Sequence, residues 1–252
     1  MRAPAGIEVN ASLSSPFSGT VQWRGSFNVY RSELGARQFR LSGGVTVHPA
    51  PAVSLSIAPG YVRQREPRQY IETLPGGSAA TYGSRYVFGA IERSTISAQL
   101  RLNYTFAPDL SVEVYAEPFA ASGRYSDIGE LAEPRTWDLR TYGRDGTTAV
   151  PTAEGLLVTD SRNGETFAVS RPDFNALSFR SNLVVRWEWR PGSTIFLVWQ
   201  QNRSAFCSVS TLDDCDGRTP GRLVGPGALA NTLDASGDNF LAIKATYWLA
   251  IR

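Results

Sequence analysis

The chain has 252 residues, a formal net charge of +2 and 19% charged side chains, a balance that excludes a strongly basic nucleic-acid surface and predicts no nucleic-acid partner. Its length suits one large all-β domain or two average domains and is enough to bury a core. The longest uncharged stretch, 41–62, alternates in polarity and holds Pro49, Pro51, Pro59 and Gly43-Gly44, so it is no transmembrane helix.

Alternation then sets the elements in chain order. Strands are expected at 5–14, 20–32, 37–47, 53–63, 69–74, 84–91, 95–106, 110–121, 178–190, 194–204 and 239–251, eleven in all. The clearest is 95–106, where Ile96, Ala98, Leu100, Leu102, Tyr104 and Phe106 share one face and Ser97, Gln99, Arg101, Asn103 and Thr105 the other. Short turns at 49–51, 107–109 and 191–193 predict hairpins with 47 opposite 53, 106 opposite 110, and 189 opposite 195.

Strands of this length, with one apolar and one charged face, predict an antiparallel up-and-down transmembrane β-barrel. Arg101, Glu113, Glu117, Arg180, Arg186 and Glu188 would line its lumen, and Phe106, Trp187 and Trp189 beside the turns would form an interfacial girdle; in a soluble β-sandwich the same charges would instead be a solvated outer face. The short turns fall on one side and the long connections, 122–177 and 205–238, on the other, as in bacterial outer-membrane barrels. The expected organisation is one β-barrel segment over 1–252. Its odd strand count, and a start, Met1-Arg2-Ala3-Pro4, without the apolar run of a signal peptide, predict the C-terminal part of a larger barrel. The terminal alternation Leu241, Ile243, Ala245, Tyr247, Leu249 and Ile251 predicts recognition by the outer-membrane assembly machinery, although the chain ends Ile251-Arg252 and not on an aromatic residue.

Reactive chemistry is sparse. The single histidine, His48, lies beside Pro49 in a turn, so neither a Ser-His-Asp triad in the outer loops nor a His-rich zinc site can be built, and no cofactor is expected. Cys207 and Cys215 would close a small disulfide loop in an oxidising envelope, or stand as two free thiols. Beside them Asp213, Asp214 and Asp216 form either a weak calcium site or a solvated acidic turn. In the long loop, Tyr125, Asp127, Trp137, Asp138 and Tyr142 suit a sugar, by ring stacking and hydrogen bonding, or pack the loop over the barrel mouth. Leu156 to Ser170 reads as a small hairpin turning at Asn163-Gly164. Two functions follow. One is a non-enzymatic, porin-like barrel; the other is an envelope glycoside hydrolase using Asp127, Glu130 and Asp138 as its carboxylates.

Several runs together carry a family resemblance: Arg85-Tyr86-Val87-Phe88-Gly89, the stretch from Arg101 to Leu110, Tyr115-Ala116-Glu117-Pro118-Phe119, Arg171-Pro172-Asp173-Phe174-Asn175, Arg186-Trp187-Glu188-Trp189-Arg190-Pro191-Gly192-Ser193 and Tyr247-Trp248-Leu249. From about residue 37 onward the chain resembles the C-terminal barrel domain, of undefined function, of bacterial envelope proteins that carry an N-terminal family-9-like carbohydrate-binding module. The resemblance implies a Gram-negative outer-membrane location, contact with outer-membrane lipid, and a role in a glycan- or solute-handling surface protein with glycans as partners. It brings no catalytic residues.

Overall fold

The computed structural model describes residues 4–16, 18–209, 215 and 218–249. In chain order the strands are β1 (Gly6–Ser14), β2 (Val21–Ser32), β3 (Arg37–Ala50), β4 (Val53–Pro75), β5 (Ser84–Ala107), β6 (Leu110–Leu131), β7 (Leu139–Thr141), β8 (Thr147–Pro151), β9 (Gly155–Asp160), β10 (Thr166–Ser170), β11 (Phe174–Arg190), β12 (Ser193–Ser208) and β13 (Gly237–Thr246). Short 3-10 helices occupy Ala79–Thr81 and Pro226–Leu233.

Nine strands form one antiparallel path, β1-β2-β3-β4-β5-β6-β11-β12-β13, with β7 added beside the end of β6. Two-residue turns at Pro51-Ala52, Pro108-Asp109 and Pro191-Gly192 send β3 back into β4, β5 into β6 and β11 into β12. Gly192 takes φ +77°, the left-handed conformation that a glycine adopts at no steric cost. Tight turns also reset two registers: Val47 lies opposite Leu55 and Trp187 opposite Ile195, each two residues from the expected pairing. A two-residue slip preserves the faces. Around Pro108 the expected sum holds, with Arg101 opposite Tyr115.

The polarity pattern becomes two distinct sheet faces. Val9, Val29, Phe39, Arg63, and then Phe27, Leu41, Tyr61, Ile96, Ala120 and Leu177 follow one another across strands on the first face. Ser26, Ser42, Gln99, Arg101, Glu117 and Arg180 stand on the opposite one, as a period of two requires. Four of the eleven expected strands are halves of longer ones: 53–63 joins 69–74 in β4, and 84–91 joins 95–106 in β5. Bulges between Glu66 and Gln69 and between Tyr70 and Glu72 break the alternation there without ending the strand.

The barrel expectation is corrected. β1 pairs only with β2 and β13 only with β12 among the described residues, so the sheet is open and both edges are free. The physical reason is visible in the path. With nine alternating strands, β1 and β13 run in the same direction, and closure would need a parallel seam in an otherwise antiparallel sheet. The second sheet, β10-β9-β8, is open as well.

Two cores sit at one end of the main sheet. The outer halves of β4, β5 and β6 carry the small sheet as a cap, with Val87, Ile128, Tyr142, Val158 and Val169 buried between them. The segment holding the Pro226–Leu233 helix crosses the apolar face, where Val224 packs with Ile96, Ala120 and Leu177. Ser94 and Ser122 hydrogen-bond each other at 2.8 Å beneath it, and Ser94 Oγ also accepts the Val224 N–H. The apolar face is therefore covered near the cap and bare toward the edges: Ile96 is 8% exposed, but Ile7 on β1 is 75% exposed and Ile243 on β13 71%.

Candidate functional site

Three places gather polar or reactive groups. The first is the polar face. Tyr115 donates to Glu117 at 2.7 Å, Gln99 donates to the other oxygen of Glu117 at 3.3 Å, and the Arg101 guanidinium lies 5.1 Å from the Tyr115 ring centre. Burial, then hydrogen bonding to the Glu117 carboxylate, pushes the Tyr115 phenol above its ordinary pKa. Arg180 stands opposite Glu117 and Asn103 opposite Glu113. Arg186 pairs with Glu188 at 3.2 Å, and Glu188 also accepts the Gly192 N–H, tying the pair to the β11–β12 turn. The six residues expected in a lumen thus share one sheet face, but that face lines no enclosed channel.

The second place lies under the cap, where five charged side chains converge from β5, β6, β7, β9 and the residue just before β10. Arg85 donates to Glu130 and to Glu165, both at 2.8 Å, and its side chain is 2% exposed. Arg140 forks onto both oxygens of Asp160, at 2.6 and 2.7 Å, and reaches Glu130 at 3.0 Å. Its remaining donors go to the carbonyls of Asp145 and Gly146. The planar guanidinium suits this arrangement because its donors form a rigid fork that matches a carboxylate. Hydrogen bonding from Arg140 holds the Asp160 carboxyl well below the usual carboxylate range, against the opposing effect of burial. Tyr142 completes the cluster, donating weakly to Glu130 at 3.4 Å, with burial foremost in pushing its phenol pKa up.

Residues expected to form a ligand loop are dispersed by this arrangement. Tyr142 is core, Tyr125 packs against that core, and Trp137 offers its backbone carbonyl to Arg68. Asp127 is exposed and bonded to Arg65 at 3.0 Å, and Asp138 is exposed. The hydrolase expectation is corrected on the same ground. Glu130 is held by two arginines inside the cap and Asp127 by Arg65 at the surface, so the carboxylates form no acid pair over a groove.

The third place is the junction of β6, β11 and the end of β12. Asp173 accepts the Tyr125 N–H at 2.6 Å and pairs with Arg171, and burial raises its carboxyl pKa. Cys207 and Cys215 are joined by a disulfide beside it. Asp213, Asp214 and Asp216 lie outside the described residues, as do Ile251 and Arg252. Sequence reasoning missed Arg85, Asp160, Glu165 and Asp173. Arg85 and Glu165 are 80 positions apart, and nothing local marks either as a partner.

No family model and no curated protein matches the chain. Among solved structures it is similar to one described as the copper transporter OprC, at 8% sequence identity and a TM-score of 0.44, over 94% of this chain and 32% of that one. The chain spans about a third of the length of that structure. The expected resemblance to the envelope barrel domain is corrected by the open sheet, which lacks the closure that defines such a domain. The porin-like function falls with it. So do the outer-membrane location and the partners inferred from a barrel: membrane lipid, the assembly machinery and glycans.

Proposed function

We propose that this chain is a non-catalytic interaction module, a β-sheet platform that takes up a further strand along an open edge. The observation that carries this reading is the pair of free edges, each flanked by the most exposed apolar side chains of the sheet. Hydrogen bonds from Glu33 N–H to Ala5 O and from Ser15 N–H to Trp23 O fix the odd residues of β1 as those bonded to β2. The backbone groups of Gly6, Glu8, Asn10, Ser12 and Ser14 therefore point outward. On β13 the bond from Ser204 N–H to Ser236 O fixes the even residues inward, and Gly237, Asn239, Leu241, Ile243 and Ala245 present theirs outward. An added strand meets these donors and acceptors, and its alternate side chains cover the apolar edge. The charged groups gathered under the cap are engaged in holding the fold.

Hydrogen exchange resolved to single amides tests this reading across a dilution series. The outward amides of β1 or β13 are expected to gain protection as concentration rises, while the inward amides are protected throughout. Free exchange of the outward amides of both edges at every concentration, and in extract from the source cells, would refute it.

A further inference from the structure

We infer that the partner strand on the β13 edge is β13 of a second copy of this chain, paired antiparallel about a two-fold axis at Leu241. This rests on the strand-accepting reading above and adds the occupant and the register. β13 carries two charged residues, Asp238 and Lys244, and both are exposed. Lys244 is also the only lysine in the chain. In a two-fold antiparallel pair centred on Leu241, residue 238 of one copy lies directly opposite residue 244 of the other, and the reverse, so two opposite-charge pairs form. Centring the pair on Asp238 or on Lys244 instead sets like charges face to face.

Other features of the strand fit the same register. The outward backbone groups belong to the odd residues, so Leu241 meets Leu241, Asn239 meets Ile243 and Gly237 meets Ala245 as hydrogen-bonded pairs. The even residues form the closer, non-hydrogen-bonded pairs. There each exposed Phe240 faces the small Ala242 of the other copy, a large side chain against a small one. A two-fold axis perpendicular to the sheet keeps the faces aligned, so Trp199, Leu241 and Ile243 join their counterparts in one apolar surface. The β1 edge offers less. Its one charged residue, Glu8, already accepts a hydrogen bond from Asn28, and a β1 pair brings no opposite charges together. Pairing β13 with β1 of another copy would be parallel if the sheet faces stay aligned, because the two edges run in the same direction, and an antiparallel pairing of these edges would set the apolar face of one copy beside the polar face of the other.

A zero-length carbodiimide cross-link between Asp238 and Lys244 tests the register directly. Six residues of extended strand separate the two by about 20 Å within one chain, so the cross-link forms only between copies. Mixing isotope-labelled and unlabelled full-length chain is expected to yield the mixed-label Asp238–Lys244 peptide. In sedimentation measurements K244D is expected to weaken the dimer about tenfold, D238K likewise, and the double variant D238K/K244D to restore it. Both positions are exposed, so circular dichroism should read as in the unaltered chain. A monomer at every concentration, or single variants that dimerise as tightly as the unaltered chain, would overturn the inference and leave Lys244 as a guard against edge pairing. Protection confined to the outward amides of β1 would overturn it too, while leaving the strand-accepting reading in place.

Discussion

Arg140→Met is expected to cost about 3–5 kcal/mol, the scale of breaking one side of a buried ion pair. Methionine keeps much of the side-chain length but removes every donor. Asp160 loses its two short bonds, at 2.6 and 2.7 Å, and keeps Arg85 at 3.5 Å and the Arg162 N–H at 3.0 Å. Glu130 loses a bond at 3.0 Å and keeps Arg85. The side chains of Asp160 and Glu130 are 5% and 10% exposed, so water cannot replace the lost partner fully. The carbonyls of Asp145 and Gly146 belong to exposed residues and are rehydrated at little cost. The change should therefore loosen the cap while the main sheet stays folded. Denaturant titration combined with hydrogen exchange over 139–170 reads this as lost protection there. Glu165→Gln is the control: its half-exposed carboxylate makes a pair worth less than about 1 kcal/mol. An Arg140→Met chain within about 0.5 kcal/mol of the original, or a Glu165→Gln chain as destabilised as Arg140→Met, would refute the assignment of the cluster as the cap's anchor.

Acid should loosen the same region. The Asp160 pKa is depressed in the folded chain, so its stabilising effect is complete above the unfolded value, about 4, and is lost as pH falls below it. Exchange protection over 139–170 is expected to fall between pH 4 and lower values before that of β2 and β3, and simultaneous loss in all three would contradict this. Reduction of the Cys207–Cys215 disulfide, which closes a loop with a sequence separation of 8, should cost roughly 2.5 kcal/mol on a chain-entropy estimate. The loss is expected to show as earlier thermal melting and faster exchange at the end of β12, and unchanged exchange at 205–209 on adding reductant would contradict it.

The local order of the main sheet was legible because a half-buried strand writes its two faces into every second residue. The run from Ile96 to Phe106 and the turn residues Pro108-Asp109 and Pro191-Gly192 sufficed to place β5, β6, β11 and β12 beside their neighbours. Near Tyr70 the strand continued through bulges, and at Glu92-Arg93-Ser94 it continued in unbroken register through consecutive polar residues, features that period-two reading cannot separate from a loop. Closure was not legible. Alternation reports that a strand has two environments, and it is silent on whether the first and last strands meet. Arg101, Glu117, Arg180 and Arg186, expected to line a lumen, share one face by the same rule, but an open sheet gives that face a different meaning. The cap escaped notice for another reason. Arg85, Glu130, Arg140 and Asp160 come from four strands, and their pairing depends on a long-range fold that places the small sheet over β5 and β6. Taken singly, Arg85, Arg140 and Asp160 look like ordinary surface charges, and Glu130 like a loop carboxylate.

The open sheet is most directly tested by the distance between its two edges. Spin labels at Asn10 on β1 and Ala242 on β13, in chain diluted with unlabelled protein, report it within single molecules. Adjacent strands in a closed seam would hold the two backbones about 5 Å apart, whereas nine strands laid side by side span up to about 38 Å. A separation well above 20 Å is the expected result. Strong short-range coupling at about 10 Å or less would mean that β1 and β13 meet, and would contradict the free edges on which the strand-accepting function rests.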